Sequence, residues 1–276
     1  MKTLLLPIDF SEGSDKAINY AVEMAKLTKS KLILFHTYHV PVITTDVPML
    51  IPSMEELGED SMKALRKKEN EIYLSHGTGL QVECVCRCGL EVDELEEYST
   101  NNDIDLIITS MEEAGELTEK LIGSVTTSLM RTMKCPVLAV GKNFVFRDIK
   151  KIALACDFKG IKTAAALEPL KEIVKFFNAH LFIVNVLKEQ KELIPTTEQA
   201  VSGVQLDHML EEINHSFHYE ENVNVVDGIN HFVDQHNIDL LVMIPRSHTL
   251  LQEIFHEPNT KRMAFHSHVP LLSIHE

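Results

Sequence analysis

Short, nearly continuous runs of apolar residues alternate along this chain with longer segments in which apolar residues recur at helical spacing. Residues 4–10 and 31–36 are two such runs, and runs of this kind are typical of the buried strands of a parallel sheet. Between them, apolar positions repeat at helical spacing from Ala17 to Ala25, and Ser14 and Asp15 favour a helix N-terminus just before them. The succession of strand, helix and strand predicts a right-handed β-α-β unit.

The same two patterns continue to residue 140. They predict helices at 54–75, 92–99 and 123–133 and strands at 80–88, 105–110 and 134–140. Residues 38–52 break the alternation, because three prolines stand there among valine, isoleucine, methionine and leucine. Prolines prevent regular structure, and a cluster of apolar side chains is unfavourable in water. We therefore predict that this loop packs against a neighbouring domain or subunit, which favours a homodimer.

The order of patterns begins again after residue 147. Four segments of the second half repeat segments of the first half in the same order. Residues 151–158 repeat 4–10, 180–185 repeat 31–36, 237–241 repeat 103–107, and 268–272 repeat 134–138. An internal duplication explains four ordered matches far better than chance does, and 276 residues are enough for two domains that each bury a core. We predict a first domain at 1–146 and a second at 147–276.

Composition narrows the class of protein. A net charge of −15 without a basic stripe argues against nucleic-acid binding, because neutralising phosphates requires clustered lysine and arginine. No run of about twenty apolar residues is present, and the N-terminus passes directly into a strand without the basic and apolar regions of a signal peptide. We therefore expect a soluble, cytoplasmic protein that does not associate with membranes.

The segment from Asp105 to Val140 carries the most informative motif. A strand, a loop and a helix that begins near Gly123-Ser124 are followed by a final strand that contains Cys135-Pro136-Val137. This segment resembles the C-terminal half of the universal stress protein family. That family carries Gly, two residues, Gly, nine residues and Gly-Ser/Thr between its fourth strand and last helix, and then a Cys-Pro-Val-type strand. The two earlier glycines of the family correspond here to Ser110 and Glu113.

The resemblance implies an α/β fold made of two tandem, doubly wound domains. Each domain would be a five-stranded, mostly parallel sheet of order 3-2-1-4-5 flanked by helices, and the two fifth strands would pair with each other. The resemblance also implies a non-catalytic stress-response or signalling protein that binds AMP or ATP. By position in the family's pattern, the binding residues would be Asp9 and Thr37 near the adenosine and Gly123, Ser124 and Val125 at the start of the last helix.

Two departures from the family's pattern limit this expectation. Glu113 stands where the family brings a glycine backbone against phosphate, and its charge would repel a triphosphate. In the second copy, Pro245–His248 replaces the glycine-rich loop and Glu257–Pro258 replaces Gly123–Ser124. We therefore predict weak binding in the first domain only, with AMP preferred to ATP, and a second domain that binds no nucleotide and does not use Asp157 for binding.

Other interpretations of the function stay open. A ligand-free interaction scaffold would also lack the glycines of the phosphate loop. An enzyme is a weaker alternative, because Ser11–Asp15 is only faintly similar to the Ser-Gly-Gly-x-Asp-Ser loop of ATP pyrophosphatases. Glu12 replaces the first glycine of that loop, which favours a plain capped turn. No other catalytic constellation is recognisable in the sequence.

Two clusters raise the question of metal binding. Cys84, Cys86 and Cys88 alternate on one face of a strand, where buried small hydrophobes are favoured over a zinc site that would need a fourth ligand from elsewhere. Helix-capping and surface roles are the expectation for the histidines near the C-terminus, which are His248, His256, His266, His268 and His275. Arg246 and His248 form an alternative site for a different anion.

Overall fold

The computed structural model describes residues 1–39, 53–111, 123–141, 144–156, 163–187, 197–244 and 269–275. In the first copy the strands are β1 Thr3–Pro7, β2 Lys31–Tyr38, β3 Val82–Cys88, β4 Leu106–Met111 and β5 Val137–Gly141. The helices of this copy are α1 Glu12–Thr28, α2 Met54–His76, α3 Glu91–Asn101 and α4 Ser124–Thr132. The predicted loop at residues 38–52 lies largely outside the described residues.

The second copy repeats this succession. Its strands are β6 Lys151–Ala155, β7 His180–Leu187, β8 His215–Glu221, β9 Leu240–Met243 and β10 Leu271–Ser273. Its helices are α5 Glu168–Phe177, preceded by a 3-10 turn at Ala164–Leu167, α6 Thr197–Leu210 and α7 Val225–His236. None of the described helices is long and apolar enough to cross a membrane.

The contacts divide the chain into two compact units, Met1–Ser110 and Met111–Glu276. In the first unit the strands lie in the order β3-β2-β1-β4 and are parallel. In the second unit the order is β5-β10-β9-β6-β7-β8, and only the β5–β10 pair is antiparallel among the pairs in that unit whose registers are known. The predicted α/β fold class and its doubly wound strand order are confirmed, including the pairing of the two fifth strands.

The cores follow from the apolar runs. Leu4, Leu5 and Leu6 of β1 are completely buried, and so is Ile152 of β6, because strands in the middle of a sheet have helices over both faces. The start of α1 differs slightly from the prediction. Ser11 caps this helix by accepting a hydrogen bond from the Ser14 N–H, at 3.2 Å, so the helix begins three residues earlier than the sequence pattern indicated.

Two equivalent aspartates show the duplication at atomic detail. The Asp105 carboxylate, just before β4, accepts the N–H groups of Lys2 and Thr3, the latter at 2.8 Å. Asp239, just before β9, accepts the N–H groups of Lys150 and Lys151 at 2.8 and 2.9 Å. Each aspartate therefore ties the start of the fourth strand of its copy to the start of the first strand.

The boundary between the compact units does not fall at the boundary of the duplication. The segment α4–β5 precedes residue 146 and yet belongs to the second unit, where β5 pairs with β10 through Leu138 and Leu272. The domain limits 1–146 and 147–276 describe the repeat in the sequence, and they stay a prediction.

Candidate functional site

Asp9 lies two residues beyond the end of β1, where the chain turns into α1. The Ser11 N–H donates to Asp9 Oδ1 at 2.9 Å, and the Ser14 hydroxyl donates to the Ser11 carbonyl at 3.0 Å. Burial acts to raise the pKa of Asp9, but hydrogen bonds from Ser11 and Ser14 outweigh it and hold the pKa below its ordinary value. The turn therefore presents an ionised, solvent-accessible carboxylate at the carboxyl edge of the sheet.

The same turn is held in an unusual conformation by β2. Phe10 has a φ of 61°, in the left-handed region that bulky residues rarely adopt. Its ring lies 4.6 Å from the ring of His36, whose Nδ1 donates to the Ile8 carbonyl at 2.6 Å. A carbonyl oxygen can only accept, so this bond places the proton of a neutral His36 on Nδ1. The strained turn is thus fixed from two sides, which holds Asp9 in place.

Thr37 lies at the same edge of the first unit as Asp9. Pro7 is the register partner of Phe35, so Asp9 and Thr37 each stand two residues beyond a matched pair in neighbouring parallel strands. On the other side of β2, Thr37 is paired with Arg87 of β3. The structure therefore brings the two predicted adenosine residues to adjacent strand ends.

Ser110, at the end of β4, reaches the first turn of α1. A Cβ built on Gly13 would lie 3.4 Å from the Ser110 hydroxyl oxygen, which is an ordinary contact. The edge formed by the ends of β1, β2 and β4 includes the point between β1 and β4 where the strand order reverses, and ligands of doubly wound sheets bind at such points. Glu113, the residue predicted to repel phosphates, lies outside the described residues.

Gly123, Ser124 and Val125 form the beginning of α4, as predicted, in the second unit. Gly123 is the N-cap residue, and no side chain caps this end of the helix in the described part of the chain. The first turn of α4 contains no acidic residue, and Ser124 is exposed. Free N–H groups and the helix dipole make such a terminus favourable for an anion. Asp9 and Thr37 belong to the other unit, so one site formed by all five residues stays a prediction.

The opposite end of α4 is held by the second copy. The buried hydroxyl of Ser273, in β10, donates to the Met130 carbonyl at 2.8 Å, and His275 Nε2 donates to the same oxygen at 2.7 Å. Burial lowers the pKa of His275, although its bond to Met130 acts in the opposite direction. His275 is therefore a helix-capping residue, which agrees with the role expected for the C-terminal histidines. The other four lie outside the described residues.

The second copy's predicted departures from the family lie outside the described residues. They are at Asp157, Pro245–His248 and Glu257–Pro258. The residue before Asp157 is Cys156, which is buried at the end of β6. The absence of nucleotide binding in the second copy accordingly stays a prediction.

The three cysteines of β3 are half-buried thiols. Burial raises the pKa of Cys84 to about 12, and the nearby Glu69 carboxylate, which accepts a hydrogen bond from the thiol at 3.7 Å, adds to this effect. Burial also raises the pKa of Cys86. Metal ligation and nucleophilic attack both require the thiolate, which is scarce at neutral pH for such groups. In the ranges that the structure describes, no group of three or more His, Cys, Asp or Glu residues could hold a metal ion.

The strand order and the covering helices define a doubly wound α/β protein. Residues 1–141, just over half of the chain, match the model of the universal stress protein family. The chain therefore belongs to the universal stress protein family.

Individual relatives match about half of this chain. Universal stress protein YxiE of Bacillus subtilis is 28% identical over 143 residues, which are 50% of this chain and 97% of the relative. Universal stress protein MJ0577 of Methanocaldococcus jannaschii is 27% identical over 152 residues, 50% of this chain and 94% of the relative. The structure of a universal stress protein from Archaeoglobus fulgidus aligns with 98% of this chain over 94% of its own chain. The TM-score is 0.67 and the sequence identity is 19%. This last likeness extends the shared fold over both copies.

Proposed function

We propose that this universal stress protein is a non-catalytic stress-response protein whose first copy binds an adenine nucleotide weakly. The observation that carries the proposal is the ionised Asp9 carboxylate beside Thr37 at adjacent strand ends. A carboxylate accepts hydrogen bonds from ribose hydroxyls or from an exocyclic amine, and a threonine hydroxyl both donates and accepts. Such a pair suits the polar edges of an adenosine better than it suits a phosphate.

The phosphate end of the proposed ligand would be bound by the start of α4. Gly123, Ser124 and Val125 supply an uncapped helix terminus and one hydroxyl. Glu113 opposes them, because two like charges about 4 Å apart repel by roughly 4 kcal/mol at an effective dielectric constant near 20. The penalty grows with the number of phosphates near the carboxylate. AMP should therefore bind more tightly than ATP.

The second copy would act as a structural partner of the first. Its sequence places Pro245 where a phosphate loop needs a backbone donor, and Glu257–Pro258 where the first copy has Gly123–Ser124. Its last strand pairs with β5, and Ser273 and His275 cap α4. These contacts support a division of roles in which only the first copy binds nucleotide.

The contacts of the Ser11–Asp15 turn argue for a helix cap and against an ATP-pyrophosphatase-like loop. Ser11 and Ser14 are used to cap α1, and Asp15 forms an ion pair with Lys68 of α2 at 2.7 Å. A pyrophosphate loop would need these donors directed at the ligand. We propose for this reason that Ser11–Asp15 positions Asp9 and does not take part in a reaction.

A ligand-free interaction scaffold is the second candidate. The observation in its favour is that the second copy makes extensive structural contacts with α4–β5 while lacking the family's phosphate motif. Under this candidate the loop at residues 38–52 would mediate a homodimer, which light scattering at micromolar protein concentration measures. A scaffold would form the dimer and bind no nucleotide.

Isothermal titration calorimetry with AMP and ATP tests the nucleotide proposal. We expect Asp9→Ala to weaken AMP binding by at least about tenfold, since it removes charged hydrogen bonds worth about 1.5–3 kcal/mol. The matched control is Asp157→Ala in the second copy, which should leave the affinity unchanged. Glu113→Gly should strengthen ATP binding more than AMP binding. Wild-type protein that binds neither nucleotide, or Asp157→Ala that abolishes binding, would contradict the proposal.

A further inference from the structure

Three histidines converge where helix α7 packs on strands β7 and β8 of the second unit. His180 lies on β7, His218 on β8 and His236 at the end of α7. The Nε2 atoms of His180 and His218 lie 2.7 and 2.8 Å from one oxygen, the hydroxyl of Ser216. The rings of His218 and His236 lie 5.5 Å apart. We call His180, His218 and His236 the histidine cluster.

The serine hydroxyl limits the protonation of its two imidazole partners. A hydroxyl has one proton, so it can donate to only one of the two Nε2 atoms while accepting from the other. This arrangement requires that the imidazole that accepts has no proton on Nε2. Protonation of both rings would force Ser216 to accept twice and would place two positive charges next to the same oxygen.

Aromatic rings line one side of the histidine cluster, whose three imidazoles are half-buried. The Phe182 ring lies 4.6 Å from the ring of His180, and the Phe232 ring is stacked on His236 at 4.1 Å. Phe232 is also 5.3 Å from His218 and is almost completely buried. A low-dielectric surrounding of this kind opposes any net charge within the cluster.

The charged groups around the cluster do not compensate a positive charge. Lys151 of β6 donates to the carbonyl of His236 at 2.8 Å and is itself positive. Glu220 of β8 lies on the same face of the strand as Ser216 and His218, and it is engaged by His231 of α7 at 2.7 Å. Asp239 accepts the backbone N–H of Lys151 at 2.9 Å. His215 of β8 is bonded to Asp207 of α6, on the opposite face of the sheet.

The first copy has different side chains at the positions equivalent to His180 and Ser216. Leu32 pairs with Val82 in that copy, and Leu181 pairs with His215 in the second, so Lys31 and Glu83 correspond to His180 and Ser216. Lys31 and Glu83 form an ion pair. The second copy has a histidine and a serine at these positions instead, joined by a hydrogen bond of 2.7 Å.

We propose that the histidine cluster makes the docking of α7 onto β7 and β8 sensitive to acid, so that α7 opens from these strands when more than one ring of the cluster is protonated. Opening would expose Phe182 of β7 and Phe232 of α7, whose rings now lie 6.1 Å apart where the helix packs on the strands. The inference does not depend on nucleotide binding, because none of the histidines in it belongs to the proposed nucleotide site.

The titration of His218 sets the direction of the effect. Burial lowers the pKa of His218, and the neighbouring His236 and His180 lower it further. The unfolded or opened chain, with an ordinary histidine pKa near 6.5, then binds more protons than the closed form. The stability of the closed form is complete above that pH and is lost as pH falls through the lowered pKa of His218.

Hydrogen exchange of the full-length protein, followed by mass spectrometry at pH 7.5 and 5.5, tests the proposal. After correction for intrinsic exchange rates, peptides from β8 and α7 should lose protection in acid, by up to about tenfold at pH 5.5 for each histidine that has an ordinary pKa near 6.5 in the opened form. Peptides from α5, in the same unit, should change less. His218→Phe keeps an aromatic ring and removes the titrating group, and we expect it to remove most of this acid response. His208→Gln, on the exposed side of α6, is the matched control and should respond like the wild type.

Three results of the exchange experiment would each overturn the proposal. They are no change of the wild-type protein in acid, an acid response that His218→Phe retains, and an acid response that His208→Gln abolishes. If His218→Phe does not fold, the ring-proton resonances of wild-type His218 provide the readout by NMR titration. His218 should titrate below the ordinary histidine pKa near 6.5, together with the loss of protection. A midpoint at or above that ordinary value would overturn the proposal.

Discussion

The carbonyl of Met130 offers the most direct test of how the second copy supports the first. Met130 lies in the last turn of α4, where carbonyl oxygens have no partner within the helix. Ser273 and His275 both donate to this oxygen, at 2.8 and 2.7 Å. Ser273→Ala alone should lower the free energy of unfolding by about 1 kcal/mol, because His275 continues to satisfy the carbonyl.

Removing both donors should cost more than the two single changes together. In the double variant Ser273→Ala with His275→Ala, the buried Met130 oxygen loses both of these donors, and an unsatisfied buried group costs about 1–3 kcal/mol. We therefore expect a coupling free energy of at least about 1 kcal/mol in a double-mutant cycle. Urea unfolding followed by far-ultraviolet circular dichroism measures it. The reasoning is refuted if the double variant equals the sum of the single variants within about 0.5 kcal/mol. Ser75→Ala, an exposed serine on α2, is the control and should change stability by less than about 0.5 kcal/mol.

Two further predictions concern the duplicated architecture. Asp105→Ala and Asp239→Ala should each lower the free energy of unfolding in urea by about 2–4 kcal/mol, because each removes a carboxylate that accepts two backbone N–H groups. The control is Asp103→Ala, at an exposed position, which should leave the stability nearly unchanged. A fragment of residues 1–146 should self-associate or aggregate in light scattering, because it keeps β5 and lacks the β10 partner; a stable, monomeric fragment would contradict this.

Periodicity in the sequence was enough to predict the strands and their repetition, because buried parallel strands carry continuous apolar runs and the internal repeat fixes equivalent elements in both copies. The order of the strands in each sheet and the pairing of the two fifth strands were implied by the resemblance to the universal stress protein family. The position of Asp9 at a strand end followed from the same pattern. The cap of α1 was assigned to Ser14, whereas Ser11 makes it, since both serines are chemically suitable and only backbone geometry distinguishes them.

Side-chain contacts between distant parts of the chain could not be predicted. The bond from Ser273 to Met130 joins residues 143 positions apart, and it depends on the exact register of β5 with β10. The histidine cluster likewise depends on the register of β7 with β8 and on the placement of α7. Its three histidines are widely spaced in the sequence and belong to no motif there, whereas the histidines near the C-terminus form a visible cluster.

If the first copy binds a nucleotide as proposed, the contacts of α4 give the second copy a way to affect that binding. The predicted phosphate residues Gly123–Val125 stand at one end of α4, and Ser273 and His275 hold its other end. Hydrogen bonds join the turns of a helix along its length, so we expect a loss of contacts at Met130 to shift both ends of α4. The second copy therefore has a structural reason to keep its last strand even where its own loop has lost the glycines. On this argument, changes at Ser273 should weaken nucleotide binding through the position of α4, although Ser273 itself lies at the opposite end of the helix from the proposed ligand.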